Sequence, residues 1–214
     1  LRRQFLFLSS FALLFSFYRL FAASGTFKVT KTFNNQEFSY ELVELEKRDM
    51  HRVFKITYPS PVQSELETNN TVHGEFFLPN DIPEGVSCPA VLVNHVLDGG
   101  FNIERMMCST LANNGVPAMF IMLPYYGPRG NNKHPKQVLE NAEKFLLSLE
   151  QAILDNRRAV DILQARKEVN AKRIGIAGGS LGAIMSASVS GFEDRIERAF
   201  LLLGGGNLQK IFRH

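Results

Sequence analysis

Five consecutive residues, Gly178-Gly179-Ser180-Leu181-Gly182, constrain the fold of this chain more than any other feature. They follow the apolar segment from Arg173 to Ala177, which we predict as a buried strand, and precede the small and apolar residues from Ala183 to Ser190, which we predict as a packed helix. Because the chain passes from strand to helix within so few residues, the central backbone is strained and side chains at the flanking positions would collide with neighbouring elements. The pattern predicts a sharp turn that presents Ser180 at the carboxyl edge of a sheet.

This turn makes Ser180 a candidate nucleophile. Glycine at 178, 179 and 182 leaves room for the turn, and the N–H of Leu181 at the start of the helix would point toward negative charge that develops beside the serine. The alternative is a tight glycine turn in which Ser180 only caps the helix.

The pattern of the rest of the chain changes after a turn-rich link from Pro79 to Pro89. The segments before the link are typical of antiparallel strands, whereas strands and helices alternate after it, as in a parallel sheet covered on both faces. The predicted strands are 38–45, 53–58, 72–78, 90–94, 118–123, 173–177 and 199–203. One helix is predicted from Asn102 to Asn113, and a second over about 138–163, with a break near Asp155 and Asn156 left open. The fold class is α/β, a mostly parallel sheet with antiparallel leading strands.

A loop after the predicted strand 90–94 completes a family resemblance. Its sequence is His95-Val96-Leu97-Asp98-Gly99-Gly100. Together with the segments NNGVPAMFIMLPYYGPRG and RRAVDILQARKEVNAKRIGIAGGSLGA, it resembles the α/β-hydrolase family, in particular the dienelactone-hydrolase-like and acetyl-xylan-esterase-like branches. The resemblance covers about 89–206.

This resemblance implies an α/β-hydrolase fold and a second backbone donor for an oxyanion. Matching residue by residue assigns that donor to Leu97. Val96 stands where the family usually has glycine, and a β-branched residue resists positive φ, so Val96 is the alternative donor. We interpret His95 as a structural residue that anchors the loop rather than as a proton carrier.

A loop with Tyr125, Tyr126 and Arg129 should lie at the same edge of the sheet, where such connections line the ligand crevice. The aromatic side chains would form a wall, and Arg129 would bind an anionic group of the substrate. Alternatively, the tyrosines pack the loop and Arg129 pairs with a nearby carboxylate.

The partners that a serine nucleophile needs are not recognisable in the sequence. In this family the order is Ser, then Asp or Glu, then His. The acids after Ser180, namely Glu193, Asp194 and Glu197, come before the last predicted strand, and His214 is the only later histidine; His51, His73 and His134 precede Ser180. We therefore expect that the chain is truncated at its C-terminus, with the last strands missing and the triad acid and histidine outside it. The apolar segment 201–203 at a sheet edge favours the same interpretation.

The first 24 residues are interpreted as a signal peptide, and residues 25–214 as an incomplete α/β-hydrolase domain. Arg2 and Arg3 precede the apolar stretch from Phe5 to Tyr18, and small residues follow at 22–24. We expect a secreted or periplasmic protein; an uncleaved membrane anchor is the alternative.

The composition excludes other classes of partner. Without Arg2, Arg3 and Arg19, the chain has as many basic as acidic residues, so nucleic acid is not an expected partner. Cys88 and Cys108 match no metal site, and free thiols are favoured over one disulfide. Asn69-Asn70-Thr71 fits the N-glycosylation pattern in a predicted polar loop.

We therefore predict an exported serine hydrolase that needs no metal or organic cofactor. Its expected substrates are small-molecule or polysaccharide-linked carboxylic esters. The alternatives are a prolyl-oligopeptidase-like serine peptidase and a non-catalytic binding protein, or inactive fragment, with the same fold.

Overall fold

A computed structural model describes residues 24–130 and 142–205 of the chain. Residues 1–23 of the predicted signal peptide lie outside these ranges, as do His134 and His214.

Eight strands form one mixed sheet in the order β1-β2-β3-β4-β6-β5-β7-β8. The strands are β1 (Gly25–Val29), β2 (Phe38–Lys47), β3 (His51–Pro59), β4 (Thr71–Pro79), β5 (Cys88–Asn94), β6 (Ala118–Ile121), β7 (Val169–Gly179) and β8 (Ile196–Leu202). Strands β1 to β4 pair antiparallel in sequence, and β4 also pairs antiparallel with β6. The pairs β6 with β5, β5 with β7, and β7 with β8 are parallel. The α/β class and the antiparallel leading strands are thus confirmed.

The burial of the strands follows their place in the sheet. In β2, buried Phe38, Tyr40 and Leu42 alternate with exposed residues, as expected of a strand with one covered face. All four residues of β6 are buried, because this central strand is covered on both faces.

Helices cover both faces of the sheet. The helices are α1 (Asn102–Asn113), α2 (Ala142–Ala165) and α3 (Leu181–Phe192), and short 3-10 turns lie at Glu67–Asn70 and Gly127–Gly130. Alternate residues of the strands belong to two apolar clusters. One contains Val160 and Leu163 of α2 with Val189 of α3, and the other contains Cys108 and Ala112 of α1. None of the described helices is long and apolar enough to cross a membrane.

The two cysteines are free thiols. Cys88 packs with the cluster that holds Val160, whereas Cys108 lies in the cluster on the α1 face. The two thiols thus pack against different apolar clusters.

Helix α2 continues through Asp155 and Asn156, so the break that the sequence left open does not occur. Both residues are fully buried. Asn156 Nδ2 donates to the carbonyl oxygen of Ala152 at 2.8 Å, within the helix itself. The Asp155 carboxylate accepts hydrogen bonds from Ser60 and Arg129, so its polarity is satisfied without opening the helix.

Candidate active site

The junction of β7 and α3 holds Ser180 in a strained conformation. Its φ of 50° and ψ of −116° lie outside the helical and strand regions that most residues adopt. The backbone around it is tied down, because its N–H donates to the carbonyl oxygen of Leu202 at 2.9 Å and its own carbonyl oxygen accepts from Ala183 N–H at 3.0 Å. Strain of this kind persists only where the surroundings hold it, and it occurs preferentially at functional sites.

Two of the three glycines are required by close backbone approaches. A Cβ at Gly178 would collide with the carbonyl group of Gly182, and a Cβ at Gly182 would collide with the carbonyl group of Asn94. Gly179 differs, because a Cβ there would meet Val96 Cγ1 at 3.5 Å, an ordinary contact distance. The turn is thus locked by two glycines that touch backbone on either side of Ser180.

The Ser180 side chain is exposed and makes no hydrogen bond with any residue that the structure describes. In particular, it does not cap α3, since no side-chain capping bond is made at its N-terminus. The hydroxyl therefore does not carry out the helix-capping role that was the alternative to a nucleophile. The Leu181 N–H follows it in the first turn of α3, a position where the helix dipole favours negative charge.

The loop after β5 lies beside this turn. The register of the sheet pairs Asn94, the last residue of β5, with Gly178 of β7. Because β5 and β7 are parallel neighbours, residues 95–98 leave the sheet next to Ser180. Asn94 Nδ2 also donates to Ser186 Oγ of α3 at 3.1 Å, which fastens the end of β5 to the helix that follows the serine.

Within this loop, Val96 and Leu97 differ in what their N–H groups do. The N–H of Val96 donates to Glu104 Oε1 at 2.9 Å. The N–H of Leu97 has no partner among the described residues, and the residue is 42% exposed. Val96 is not among the residues with positive φ, which in this loop are Gly99 and Phe101. The loop therefore accommodates valine at position 96 without the strain that the sequence suggested.

His95 is fully buried, and its two ring nitrogens bind backbone groups. The Leu123 N–H donates to Nε2 at 3.0 Å, so Nδ1 carries the proton and donates to the Val96 carbonyl oxygen at 2.6 Å. Burial lowers the pKa of His95 to about 4, despite the opposing backbone hydrogen bond at Val96. His95 is thus a neutral side chain that ties the loop after β5 to the loop after β6.

Arg129 is buried rather than directed to a ligand. Its guanidinium is 0% exposed and pairs with Asp155 Oδ2 at 2.7 Å. Its other nitrogens donate to the carbonyl oxygens of Asn69 and Met122. Because the guanidinium is buried and each of its nitrogens is bonded within the fold, it does not face a ligand, so the structure corrects the expected role of Arg129 and agrees with the alternative of an ion pair.

The two tyrosines lie in the same loop in different settings. Tyr126 is 5% exposed and packs its ring against His95, with centroids 4.4 Å apart. Its hydroxyl is buried without a partner among the described residues, and burial raises its pKa. Tyr125 is half-buried, has a φ of 68°, and its N–H donates to Asn69 Oδ1 at 3.0 Å. Tyr126 packs the loop, while Tyr125 keeps part of its surface accessible.

No described histidine or carboxylate completes a triad with Ser180. His51 Nδ1 bonds to Asn113 Oδ1 at 2.7 Å, at the start of β3. Burial lowers the pKa of His73, and its Nδ1 is buried without a partner among the described residues. Glu193 pairs with Arg195, and Glu197 lies near Arg198. Within residues 24–130 and 142–205, no group of three or more His, Cys, Asp or Glu side chains could hold a metal ion.

The structure corrects the interpretation of one further residue, Asn69, and identifies another, Glu104, that the sequence did not single out. Asn69, the acceptor of the glycosylation pattern, is 0% exposed and donates to Gln151 Oε1, so it is not available for modification. Glu104 was not singled out. Its place in the first turn of α1 is the only sequence signal, because a bond from a side chain to a backbone N–H leaves no pattern of its own.

Solved structures resemble this fold, although neither a protein-family model nor a curated protein matches the sequence. An acetyl xylan esterase from Paenibacillus sp. R4 has a TM-score of 0.58 and 18% identity, covering 78% of this chain and 54% of that chain. A cold-adapted esterase from an Arctic intertidal metagenomic library has a TM-score of 0.56 and 23% identity, covering 73% and 62%. A putative dienelactone hydrolase from Klebsiella pneumoniae has a TM-score of 0.54 and 19% identity, covering 71% and 60%.

The present chain thus spans between 54% and 62% of the length of these three proteins. Likeness at such identities shows a shared fold. Together with the strand order and the turn between β7 and α3, it establishes that the chain has the α/β-hydrolase fold.

Proposed function

We propose, from the α/β-hydrolase fold of this chain, that it is a serine hydrolase of carboxylic esters with Ser180 as its nucleophile. The observation that carries the proposal is the exposed, unpartnered hydroxyl of Ser180 on a strained turn, held by two glycines that no side chain could replace without collision. The esterases among the structural relatives support this reaction class.

In the proposed reaction, Ser180 Oγ attacks the carbonyl carbon of the ester and a general base takes its proton. The carbonyl oxygen becomes an oxyanion, the bond to the alcohol oxygen breaks, and the alcohol leaves with the proton that the base returns. Water then attacks the acyl-serine by the same route and releases the acid. The base and the acid that orients it come, in this proposal, from outside the described residues.

Two backbone N–H groups would stabilise the oxyanion. Leu181 N–H lies at the start of α3, where the helix dipole adds to its effect. Leu97 N–H is the second donor in preference to Val96 N–H, because the latter is already bonded to Glu104 Oε1. Serine, base and two N–H groups supply everything that acyl transfer needs, so the proposed mechanism uses no cofactor.

We also propose a substrate class. The names of relatives such as the acetyl xylan esterase suggest a small-molecule or polysaccharide-linked ester. Half-buried Tyr125, at the same edge of the sheet, would contact it. We also propose export, with residues 1–24 as a signal peptide.

The experiment uses the full-length protein, which in this proposal includes the base and the acid, and compares it with its Ser180→Ala variant and, as a matched control on α3, its Ser188→Ala variant. We expect hydrolysis of p-nitrophenyl acetate and labelling by a fluorophosphonate probe in the wild type and in Ser188→Ala, and neither in Ser180→Ala. Turnover of a proline-containing peptide anilide alone would favour a peptidase. Labelling that persists in Ser180→Ala, or is absent from the wild type, would exclude Ser180 as the nucleophile.

A further inference from the structure

We infer that Glu104 is a positioning residue, which holds the loop after β5 so that the Leu97 N–H can serve as the second oxyanion donor. The inference rests on the proposed function, because it concerns how the oxyanion site is assembled. Its basis is the hydrogen bond that the Val96 N–H donates to the Glu104 carboxylate, which the sequence did not predict.

Two hydrogen bonds hold the two peptide groups on either side of Val96. Its N–H donates to Glu104 Oε1 at 2.9 Å, and its C=O accepts from His95 Nδ1 at 2.6 Å. In a planar trans peptide, the C=O of one residue and the N–H of the next point in opposite directions. The bond to His95 therefore turns the Leu97 N–H away from the imidazole ring. Because Glu104 holds the preceding peptide group, rotation at Val96 would break one of the two bonds.

The first turn of α1 anchors this loop at both ends. Glu104 binds Val96, and the next residue, Arg105, donates from Nη1 to the carbonyl oxygen of Gly100 at 3.1 Å. Arg105 also binds Glu75 of β4 through Nε and Nη2. The loop is thus connected through α1 to the central sheet, which gives its shape a rigid support.

The burial of Glu104 calls for a reason beyond stability. The residue is 1% exposed, and its Oε2 is buried without a partner among the described residues. A buried carboxylate with an unsatisfied oxygen is costly, and apolar residues of similar size commonly pack such sites more stably. The helix dipole at the start of α1 offsets only part of the cost. Control of the loop geometry accounts for a carboxylate at this position.

A matched pair of substitutions separates loop positioning from a general charge effect. Glu104→Gln keeps the length of the side chain and an oxygen acceptor but removes the charge. Glu104→Asp keeps the charge but shortens the side chain by one methylene, so that it no longer reaches the Val96 N–H. If Glu104 positions the loop, the glutamine variant should keep the rate of Ser180 labelling and the aspartate variant should lose it. If only its charge matters, the aspartate variant should be labelled faster than the glutamine variant.

The measurement is the second-order rate constant for fluorophosphonate labelling of Ser180 in the full-length protein, since the phosphoryl oxygen of the probe occupies the oxyanion position. We expect Glu104→Gln to stay within about threefold of the wild type and Glu104→Asp to fall by about tenfold or more. Cys108→Ala, one turn along the same helix and buried beside it, controls for loss of α1 packing and should label at the wild-type rate once corrected for the folded fraction.

Equal rates for the two Glu104 variants, a slower glutamine variant, or the same loss in Cys108→Ala would overturn the inference. If the aspartate variant does not fold, the glutamine variant decides: retained labelling supports positioning, and a tenfold loss contradicts it. A wild-type chain that is not labelled at all would instead refute the proposed function. In that case hydrogen exchange of the Val96 amide tests whether Glu104 holds the loop. The amide should exchange about tenfold faster in Glu104→Asp than in Glu104→Gln, and equal exchange would refute the hydrogen bond from Val96 N–H to Glu104.

Discussion

The loops after β6 and β5 leave the same edge of the sheet but use their polar groups in opposite ways. After β6, Arg129 turns inwards, is 0% exposed and pairs with Asp155 at 2.7 Å. After β5, the Leu97 N–H is without a partner among the described residues, in the loop that follows Asn94, the residue paired with Gly178. The comparison shows that a charged side chain that is conspicuous in the sequence can be bonded within the fold, whereas a backbone N–H in the neighbouring loop is unpaired among the described residues.

A network of side chains explains why the loop after β6 is closed. Asp155 Oδ1 accepts from Ser60 Oγ at 2.6 Å, and Gln151 Nε2 donates to the same hydroxyl at 3.1 Å. Gln151 Oε1 in turn accepts from Asn69 Nδ2 at 2.7 Å. The network joins α2 to the 3-10 turn at Glu67–Asn70, so breaking one partner leaves others buried and unsatisfied.

The largest expected effect comes from opening this network. Arg129→Met should lower the free energy of unfolding by about 3–5 kcal/mol, because it leaves the Asp155 carboxylate buried without its cation. Urea denaturation measures the loss, and labelling of Ser180 per folded molecule should not change. Arg198→Ala is the control, since its side chain is 85% exposed, and it should cost less than about 0.5 kcal/mol. If Arg129→Met lowered the free energy of unfolding only slightly, the loop after β6 would not be held by this ion pair, and the contrast between the two loops would be wrong.

The next effect tests the turn that presents Ser180. Gly182→Ala should lower the free energy of unfolding by about 2–3 kcal/mol and slow labelling of Ser180, because the added Cβ collides with the carbonyl group of Asn94 at the end of β5. Gly179→Ala serves as the matched control, since its Cβ would lie 3.5 Å from Val96 Cγ1. Equal behaviour of the two variants in urea denaturation and labelling would show that the turn is not locked by close backbone approach.

A smaller, pH-dependent effect concerns His95, which joins the two loops. Its pKa is lowered from 6.5 to about 4 by burial, so between these values the unfolded chain binds a proton that the folded chain does not. This contribution to stability is complete above pH 6.5 and is lost as the pH falls toward 4, by at most about 3 kcal/mol. His95→Asn should be less stable at pH 7 but should lose less stability than the wild type between pH 6.5 and 4.5. Parallel pH profiles would contradict this role.

Much of the fold could be predicted from the sequence, because strands and helices follow from the local spacing of apolar residues. The alternation of strands and helices after Pro89 predicted the α/β class, and the family resemblance implied the α/β-hydrolase fold. Helix α1 begins and ends where its apolar spacing and Gly115 indicated. The ends of strands were less accurate: β6 stops at Ile121, before the predicted Leu123, and β7 extends from Val169 to Gly179.

The contacts around the site could not be predicted from the sequence, because they join residues that are far apart in the chain. Nothing near Arg129 in the sequence identifies Asp155, on a different helix, as its partner, so the sequence left both an anion-binding role and an ion pair with a nearby carboxylate open. The bond from Glu104 to Val96 depends on how α1 folds back over the loop. The roles of Ser180, Leu181 and Leu97 in catalysis stay predictions.

The most direct test of Ser180 as the nucleophile is the site of fluorophosphonate attachment in the full-length wild-type protein, identified by peptide mass mapping after labelling at neutral pH. If Ser180 is the nucleophile, one adduct forms, on Ser180, and it is lost after heat denaturation and in Ser180→Ala. An adduct on another residue, or no adduct on a folded chain, would contradict it.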